Sequence, residues 1–308
     1  MRTGLVINQT FTLEEQLQQV VQAEQDGFDQ CWALHFVQMG FDALTLLALA
    51  GRMTQRIQLG TSVIPIYPFH PLALASHAMT TQIACGGRLT LGLGVSHKPV
   101  VENVLGLSYE QPARRMRETL AILYSLMQQA SVDFSGEVFR VKANLRVQGA
   151  SPFPIMIAAL APAMLKLAGE MTEGTITWMA GPKTLETHIV PRLQEAASAA
   201  GRAPRRVCAA LPVAVSDDVN EVRARAAQTF ANYGQLQNYR RLLDREGVAG
   251  PEDVAIIGNE EQVQAQLETL ARIGVTDFAA IIFPATDDAP ASTARTWALL
   301  KSRVGKVN

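Results

Sequence analysis

The chain has 308 residues, 48% of them apolar and 18% charged, which is enough material for a core and excludes disorder through low hydrophobicity and high charge. Lys and Arg number 27 against 28 Asp and Glu, a formal net charge of -1, so there is no field of the size that holds a nucleic-acid backbone or an anionic membrane. A small-molecule substrate is the expected partner, with no nucleic acid and no membrane.

In chain order, short β-branched or apolar runs alternate with longer stretches of helical period, the pattern of a parallel sheet with crossover helices. The first strand is expected over Thr3 to Asn8. A helix follows, opening at Thr12 with Glu15 three residues on, as in a capping box. Asp29 to Leu34 reads as strand two and Asp42 to Met53 as its helix. Arg56 to Val63 reads as strand three. Pro71 then sits at the first position of a helix that runs to about Cys85 and stops at Gly86-Gly87. Arg88 to Gly94 is strand four, and a longer connection leads to a helix over Pro112 to Gln129. A small hairpin is expected over 132–141, broken at Ser135-Gly136-Glu137.

Strand five is expected over Pro154 to Ala159 with a helix from Pro162 to Met171. Strand six spans Thr175 to Met179, with a helix from Pro182 to Ala200. Strand seven is Arg206 to Ser216. The stretch 217–258 is too long for an ordinary βα connection and reads as a mostly helical insertion before the capped helix at Asn259. Strand eight is Asp277 to Phe283, and Pro290 to Val304 closes the chain. Eight βα units without a Gly/Ser-rich linker predict a single (β/α)8 TIM-barrel domain over residues 1–308. An open Rossmann sheet is the rival, but its fingerprint is incomplete: in Gly92-Leu93-Gly94 the third glycine position holds His97, and the motif follows strand four.

Cys31, Cys85 and Cys208 are far apart and odd in number, which argues against a disulfide framework and fits a reducing cytoplasm. The uncharged run from Ile57 to Gly87 carries three prolines and two histidines, unlike a membrane span. The start of the chain shows no cleavable signal pattern, so a cytoplasmic location is expected.

In a parallel barrel, chemistry sits at the carboxyl ends of the strands. The polar residues there are Asn8 and Gln9, His35, Thr61 and Ser62, Ser96 and His97, with Trp178 leading into Met179. His35, His70, His77 and His97 follow strands two to four and are expected on one side of the barrel. Of these, His77 reads as structural and His70 as a lead into its helix. No HxH pair and almost no strand-end carboxylate is present, so no metal site is expected. The small residues Ala158, Ala159 and Ala161 around Leu160, before the helix at Pro162, suit a phosphate at a helix N-terminus, and Gly181-Pro182 repeats the arrangement.

The run Leu59-Gly60-Thr61-Ser62-Val63, then Pro68 and His70-Pro71, then Gly86-Gly87-Arg88 through Gly92-Leu93-Gly94, resembles the core of bacterial-luciferase-like monooxygenases and their coenzyme F420-dependent relatives. Gly27-Phe28-Asp29 leading to Trp32 and His35, Ser96-His97 with Arg114 and Arg117, and Ala158-Ala159 through Glu173-Gly174 extend the likeness over more than half the chain. It is strongest toward the deazaflavin-dependent branch. The resemblance implies an oxidoreductase that transfers a hydride between coenzyme F420 and a small organic substrate, and a homodimer. The alternatives are an FMN-dependent monooxygenase and a non-catalytic coenzyme-binding protein.

It also implies catalytic roles for His35 and His97 and a non-prolyl cis peptide at Ser62-Val63 behind the ring. The coenzyme is then expected against Asn8, Gly60, Thr61, Ser62, Val63, Gly94, Ser96, Ala159, Leu160, Ala161, Trp178 and Met179. Lys166 and Lys183 are candidates for its acidic tail. The family's frequent acidic residue before the histidine is Leu34 here. His97 stands where sugar-phosphate-oxidising members carry a glutamate, so that activity is not implied. Specificity is expected from the loop Lys98 to Gln111 and from the insertion.

Overall fold

In a computed structural model, which describes residues 1–305, eight parallel strands hydrogen-bond into a closed ring. The chain runs β1 (Arg2–Val6), α1 (Leu13–Gln25), β2 (Gln30–Ala33), α2 (Ala43–Met53), β3 (Gln58–Thr61), β4 (Ile64–Pro65), α3 (Pro71–Ala84), β5 (Leu89–Gly94) and α4 (Pro112–Gln129). The hairpin β6 (Ser131–Ser135) and β7 (Arg140–Asn144) precedes β8 (Ile155–Ala158), α5 (Pro162–Met171), β9 (Gly174–Trp178), α6 (Pro182–Thr184), α7 (Val190–Ala199) and β10 (Arg206–Val215). Then come α8 (Val219–Thr229), α9 (Ala231–Gln235), α10 (Gln237–Glu246), β11 (Ile256–Gly258), α11 (Glu260–Arg272), β12 (Asp277–Ile282) and α12 (Ala289–Ser302). The far end of the single domain expected over 1–308 lies outside the described residues.

The ring is β1, β2, β3, β5, β8, β9, β10 and β12, and it closes where β12 pairs with β1 from Arg2 opposite Asp277 to Leu5 opposite Ala280. This is a (β/α)8 TIM barrel. Helix starts follow local chemistry. Thr12 and Glu15 form the capping box of α1, Asp42 caps α2 through Thr45, and Pro71, Pro112 and Pro162 open α3, α4 and α5. The helix expected from Pro182 to Ala200 is interrupted: a wider turn over Leu185–Ile189 separates α6 from α7. The stretch 217–258 holds α8, α9 and α10 together with a strand that periodicity did not reveal. β11 has only three residues, and it pairs with the far end of β10.

The barrel lumen is layered. At its base the buried carboxylate of Asp277 meets Arg2 at 2.7 Å, Arg206 at 3.0 Å and the Gln30 amide at 2.5 Å. Above it Trp32 is packed with Val6, Met156, Ile176 and Cys208. Leu34, Val63, Trp178 and Ile281 top that cluster and are only partly buried. No helix among the described residues is long and apolar enough to cross a membrane. All three cysteines are free and buried, and burial pushes the thiols of Cys31, Cys85 and Cys208 up in pKa.

Candidate active site

A cavity of about 270 Å³ opens at the carboxyl ends of the strands, directly over the lumen plug. Leu34, Val63, Ile176 and Ile281 form its floor. One wall comes from the β2–α2 loop, with Phe36, Val37 and Met39. The opposite wall comes from the insertion, with Tyr233 of α9 and Tyr239 of α10, next to Trp178 at the end of β9. Ser96, His97 and Val100 follow β5, and Ala158 and Leu160 follow β8. Among the described residues no Asp, Glu, Lys or Arg lines the cavity.

His35 is placed by β2 and by the start of α2. Its Nδ1 accepts the backbone N–H of Ala43 at 3.3 Å and lies 3.5 Å from the Asp42 carboxylate, which also caps α2. Burial lowers its pKa, against the opposing pull of Asp42, so the ring is neutral at pH 7. With Nδ1 accepting, the ring proton sits on Nε2, which has no protein partner among the described residues. Among the described residues the His97 ring has no hydrogen-bond partner either. It leans on Tyr239 at 5.8 Å between centroids, and burial lowers its pKa. The site therefore offers two neutral imidazoles in an uncharged pocket.

Of the residues expected to hold a coenzyme, Ser62, Val63, Ser96, Leu160 and Trp178 line this cavity. The Ser62–Val63 peptide is cis, as the resemblance implied. Several others serve the frame behind it. Gly60 lies under the Trp32 ring, which leaves no space for a Cβ. The Thr61 hydroxyl is fully buried between the N–H and C=O of Gly92, 2.8 Å from each, and ties β3 to β5. Gly92 lets the Thr61 carbonyl approach, and a Cβ on Gly94 would meet Val63 at 2.5 Å. The Gly92-Leu93-Gly94 run thus accommodates the bulge between β3 and β4, and the Rossmann resemblance is accidental.

Asn8 is likewise outside the cavity. Its side chain accepts from the Thr10 N–H and hydroxyl, which closes the turn into α1. Ala159 is buried with its N–H on Thr175, Ala161 is exposed at the start of α5, and Met179 is buried in a left-handed turn at φ 56°. His70 caps α3 through Leu72 N–H, and His77 packs on Phe69, which in turn touches His35. The two are structural neighbours of the site. Among the described residues no His, Cys, Asp and Glu cluster is placed to hold a metal ion.

The two candidate phosphate cradles differ. At α6 the carboxylate of Glu246 accepts the N–H groups of Lys183 at 3.0 Å and Thr184 at 2.7 Å, so that helix start is already filled by an anion from the insertion. At α5 no side chain caps the first turn. The loop before it is held from below by His188, whose Nε2 lies 2.8 Å from the carbonyl oxygen of Leu160. Lys166 faces Glu170 at 3.7 Å and Lys183 reaches the Glu246 carbonyl, so both lysines are engaged locally.

Sequence reasoning missed Phe36, Val37, Met39, Tyr233, Tyr239 and His188. The aromatic spacing Phe230, Tyr233, Tyr239 was the available signal for the insertion wall, but only the fold turns it inward.

A closed parallel barrel whose strand ends carry an apolar, imidazole-edged cavity defines a TIM-barrel enzyme acting on a small molecule. The family model of luciferase-like monooxygenases matches residues 2–277, and the chain belongs to that family. It is 30% identical over 229 residues to 5,10-methylenetetrahydromethanopterin reductase of Methanolobus tindarius, covering 73% of this chain and 69% of that one. It is 34% identical over 217 residues to the F420-dependent glucose-6-phosphate dehydrogenase of Nakamurella multipartita, covering 66% and 64%. Among solved structures, the coenzyme F420 dependent tetrahydromethanopterin reductase from Methanopyrus kandleri shares the fold, with a TM-score of 0.83 at 22% identity over 98% of both chains.

Proposed function

We propose that this chain is a coenzyme F420-dependent oxidoreductase acting on a small organic molecule. The observation that carries the reading is the uncharged cavity over the lumen plug, with the Ser62–Val63 backbone on one side and the free Nε2–H of His35 at its edge. The names of the two curated relatives and of the solved structure support the same reading.

The residues fit a flat heteroaromatic ring. The floor is apolar, and among the described residues no fixed charge lines the cavity and the buried Trp178 Nε1 has no hydrogen-bond partner. Ser62, Val63, Ser96 and Trp178 would hold the ring, and the open N–H groups of α5 past Leu160 would receive its phosphate. When bound, the coenzyme supplies the hydride. The protein's own work is to orient the substrate, exclude water and hold a proton at His35 Nε2, with His97 as the second imidazole. A homodimer is part of the proposal, formed through the exposed Leu49 and Met53 of α2 and Ile83 of α3.

Equilibrium titration of the purified protein with F420 and with FMN tests this. Saturable binding of F420, at least tenfold tighter than FMN, is the expected result. Tight FMN binding with none of F420 would overturn the proposal in favour of a flavin monooxygenase. Light scattering reads the dimer.

A further inference from the structure

We infer that the substrate subsite takes an uncharged, flat, apolar molecule, and that the aromatic wall built by the insertion selects it; this rests on the barrel cavity being the active site. A continuous aromatic chain runs along that wall. His97 meets Tyr239 at 5.8 Å, Tyr239 meets Tyr233 at 5.2 Å, and Tyr233 meets Trp178 at 5.4 Å between centroids. Trp178 is backed in turn by Phe230 at 5.9 Å, and Phe230 by Phe283 at 5.6 Å. The His97–Tyr239 pair is tilted and the other contacts are edge-to-face; together they hold the rings in place, so the wall is preorganised for another flat apolar surface.

The facing wall is apolar too. Phe36 is 41% exposed and Met39 63% exposed beside the cavity, large apolar side chains that a substrate of matching character would cover. An anionic substrate would meet no Lys or Arg among the described residues of the cavity wall. Lys98 on the adjoining loop is turned to Glu102 at 3.8 Å, and Arg240, next to Tyr239, is turned to Asp244 at 2.8 Å. A charge brought into such a pocket loses its hydration without a partner. Burial lowers the pKa of both His35 and His97, which disfavours a cationic imidazole at the rim.

The test is calorimetric binding to protein loaded with whichever coenzyme the titration above selects, so that failure of the F420 reading and failure of this one are read separately. Cinnamaldehyde, 4-carboxycinnamaldehyde and glucose 6-phosphate are the probes. Cinnamaldehyde is expected to bind at least thirtyfold more tightly than its carboxylated analogue, with no binding of the sugar phosphate. Tyr233→Ala is expected to weaken cinnamaldehyde about tenfold, and Tyr233→Phe to restore it. Equal or tighter binding of either anion by the unmodified protein would overturn the inference, and that comparison stands even if Tyr233→Ala does not fold. A folded Tyr233→Ala protein with unchanged affinity for cinnamaldehyde would overturn the role of the wall.

Discussion

His188 Nε2 donates to the carbonyl oxygen of Leu160 across 2.8 Å, and so joins the turn after α6 to the loop that precedes α5. The imidazole is buried, and its Nδ1 has no partner among the described residues. Removing it leaves the part-buried Leu160 carbonyl without this partner and frees the loop that carries the open amides of α5. His188→Ala is expected to weaken coenzyme binding about fivefold, the equivalent of about 1 kcal/mol for one hydrogen bond. The deazaflavin riboside lacking the phosphate should lose less. Parallel titrations with the two forms read the difference; equal losses would mean that the loop does not serve the phosphate end.

The three histidines around the cavity make stability depend on pH. Burial lowers the pKa of His35, His97 and His188 from the usual 6.5, with Arg245 and Arg192 adding to the effect at His188. The unfolded chain therefore binds more protons than the folded one below that value. Stability is complete above about pH 6.5 and falls as the pH drops below it, by at most about 1.4 kcal/mol per pH unit for each histidine. Urea midpoints between pH 7.5 and 5.5 should show the decline, and His188→Gln should flatten it.

His35 is expected to matter for turnover and little for coenzyme affinity. Its Nδ1 is committed to the Ala43 N–H, which leaves Nε2 as the ring nitrogen available to a ligand of the cavity that His35 lines. His35→Ala should lower turnover at least 100-fold, within the range of one general acid, while the coenzyme dissociation constant moves less than threefold. Turnover near the unmodified level would remove the proton role.

Asp277 locks the base of the barrel. Burial opposes its ionisation, but hydrogen bonds from Arg206 and Thr276 and the charges of Arg206 and Arg2 hold the carboxyl below its usual pKa. Its stabilisation is present above about pH 3.8, the unfolded value, and is lost as the pH falls through the lower folded value. Asp277→Ala leaves Arg206 without its partner and should cost about 3 to 5 kcal/mol. Denaturant unfolding at pH 7 measures it, with coenzyme affinity of the remaining folded protein unchanged.

Gly60 tests the frame behind the cavity. A Cβ there collides with the Trp32 ring, so Gly60→Ala should destabilise the protein by about 1 to 3 kcal/mol. Thermal melting detects it. An unchanged melting temperature would show that Trp32 yields easily.

The barrel was largely legible because its strands are uniformly apolar runs and its helices carry their own start signals, such as Thr12 with Glu15 and Pro71, Pro112 and Pro162 at first positions. Strand ends were read one to two residues too long, as at Asn8 and Phe283, because the extended chain continues past the last assigned strand residue, with Ile7 N–H still bonded to the Trp32 carbonyl and Phe283 N–H to that of Val213. β11 escaped because three residues carry no period. His35 and His97, singled out by their place after strands, both line the cavity. Gly60, Thr61 and Gly94 were assigned to a ligand although they pack against Trp32, Gly92 and Val63. A glycine at a strand end looks the same in sequence whether the approaching surface is a coenzyme or another strand.

By itself, then, the amino-acid order determined the alternation of elements, the caps that begin the helices and the absence of charge along the strand ends, since these depend on neighbours within a few residues. Which side chains share the cavity was decided only by closure of the ring. It brings Tyr233 and Tyr239 within reach of Trp178 and His97, sets Glu246 into the start of α6, and leaves α5 open above His188. Those pairings join residues tens to more than a hundred positions apart, and no local pattern encodes a distance of that kind.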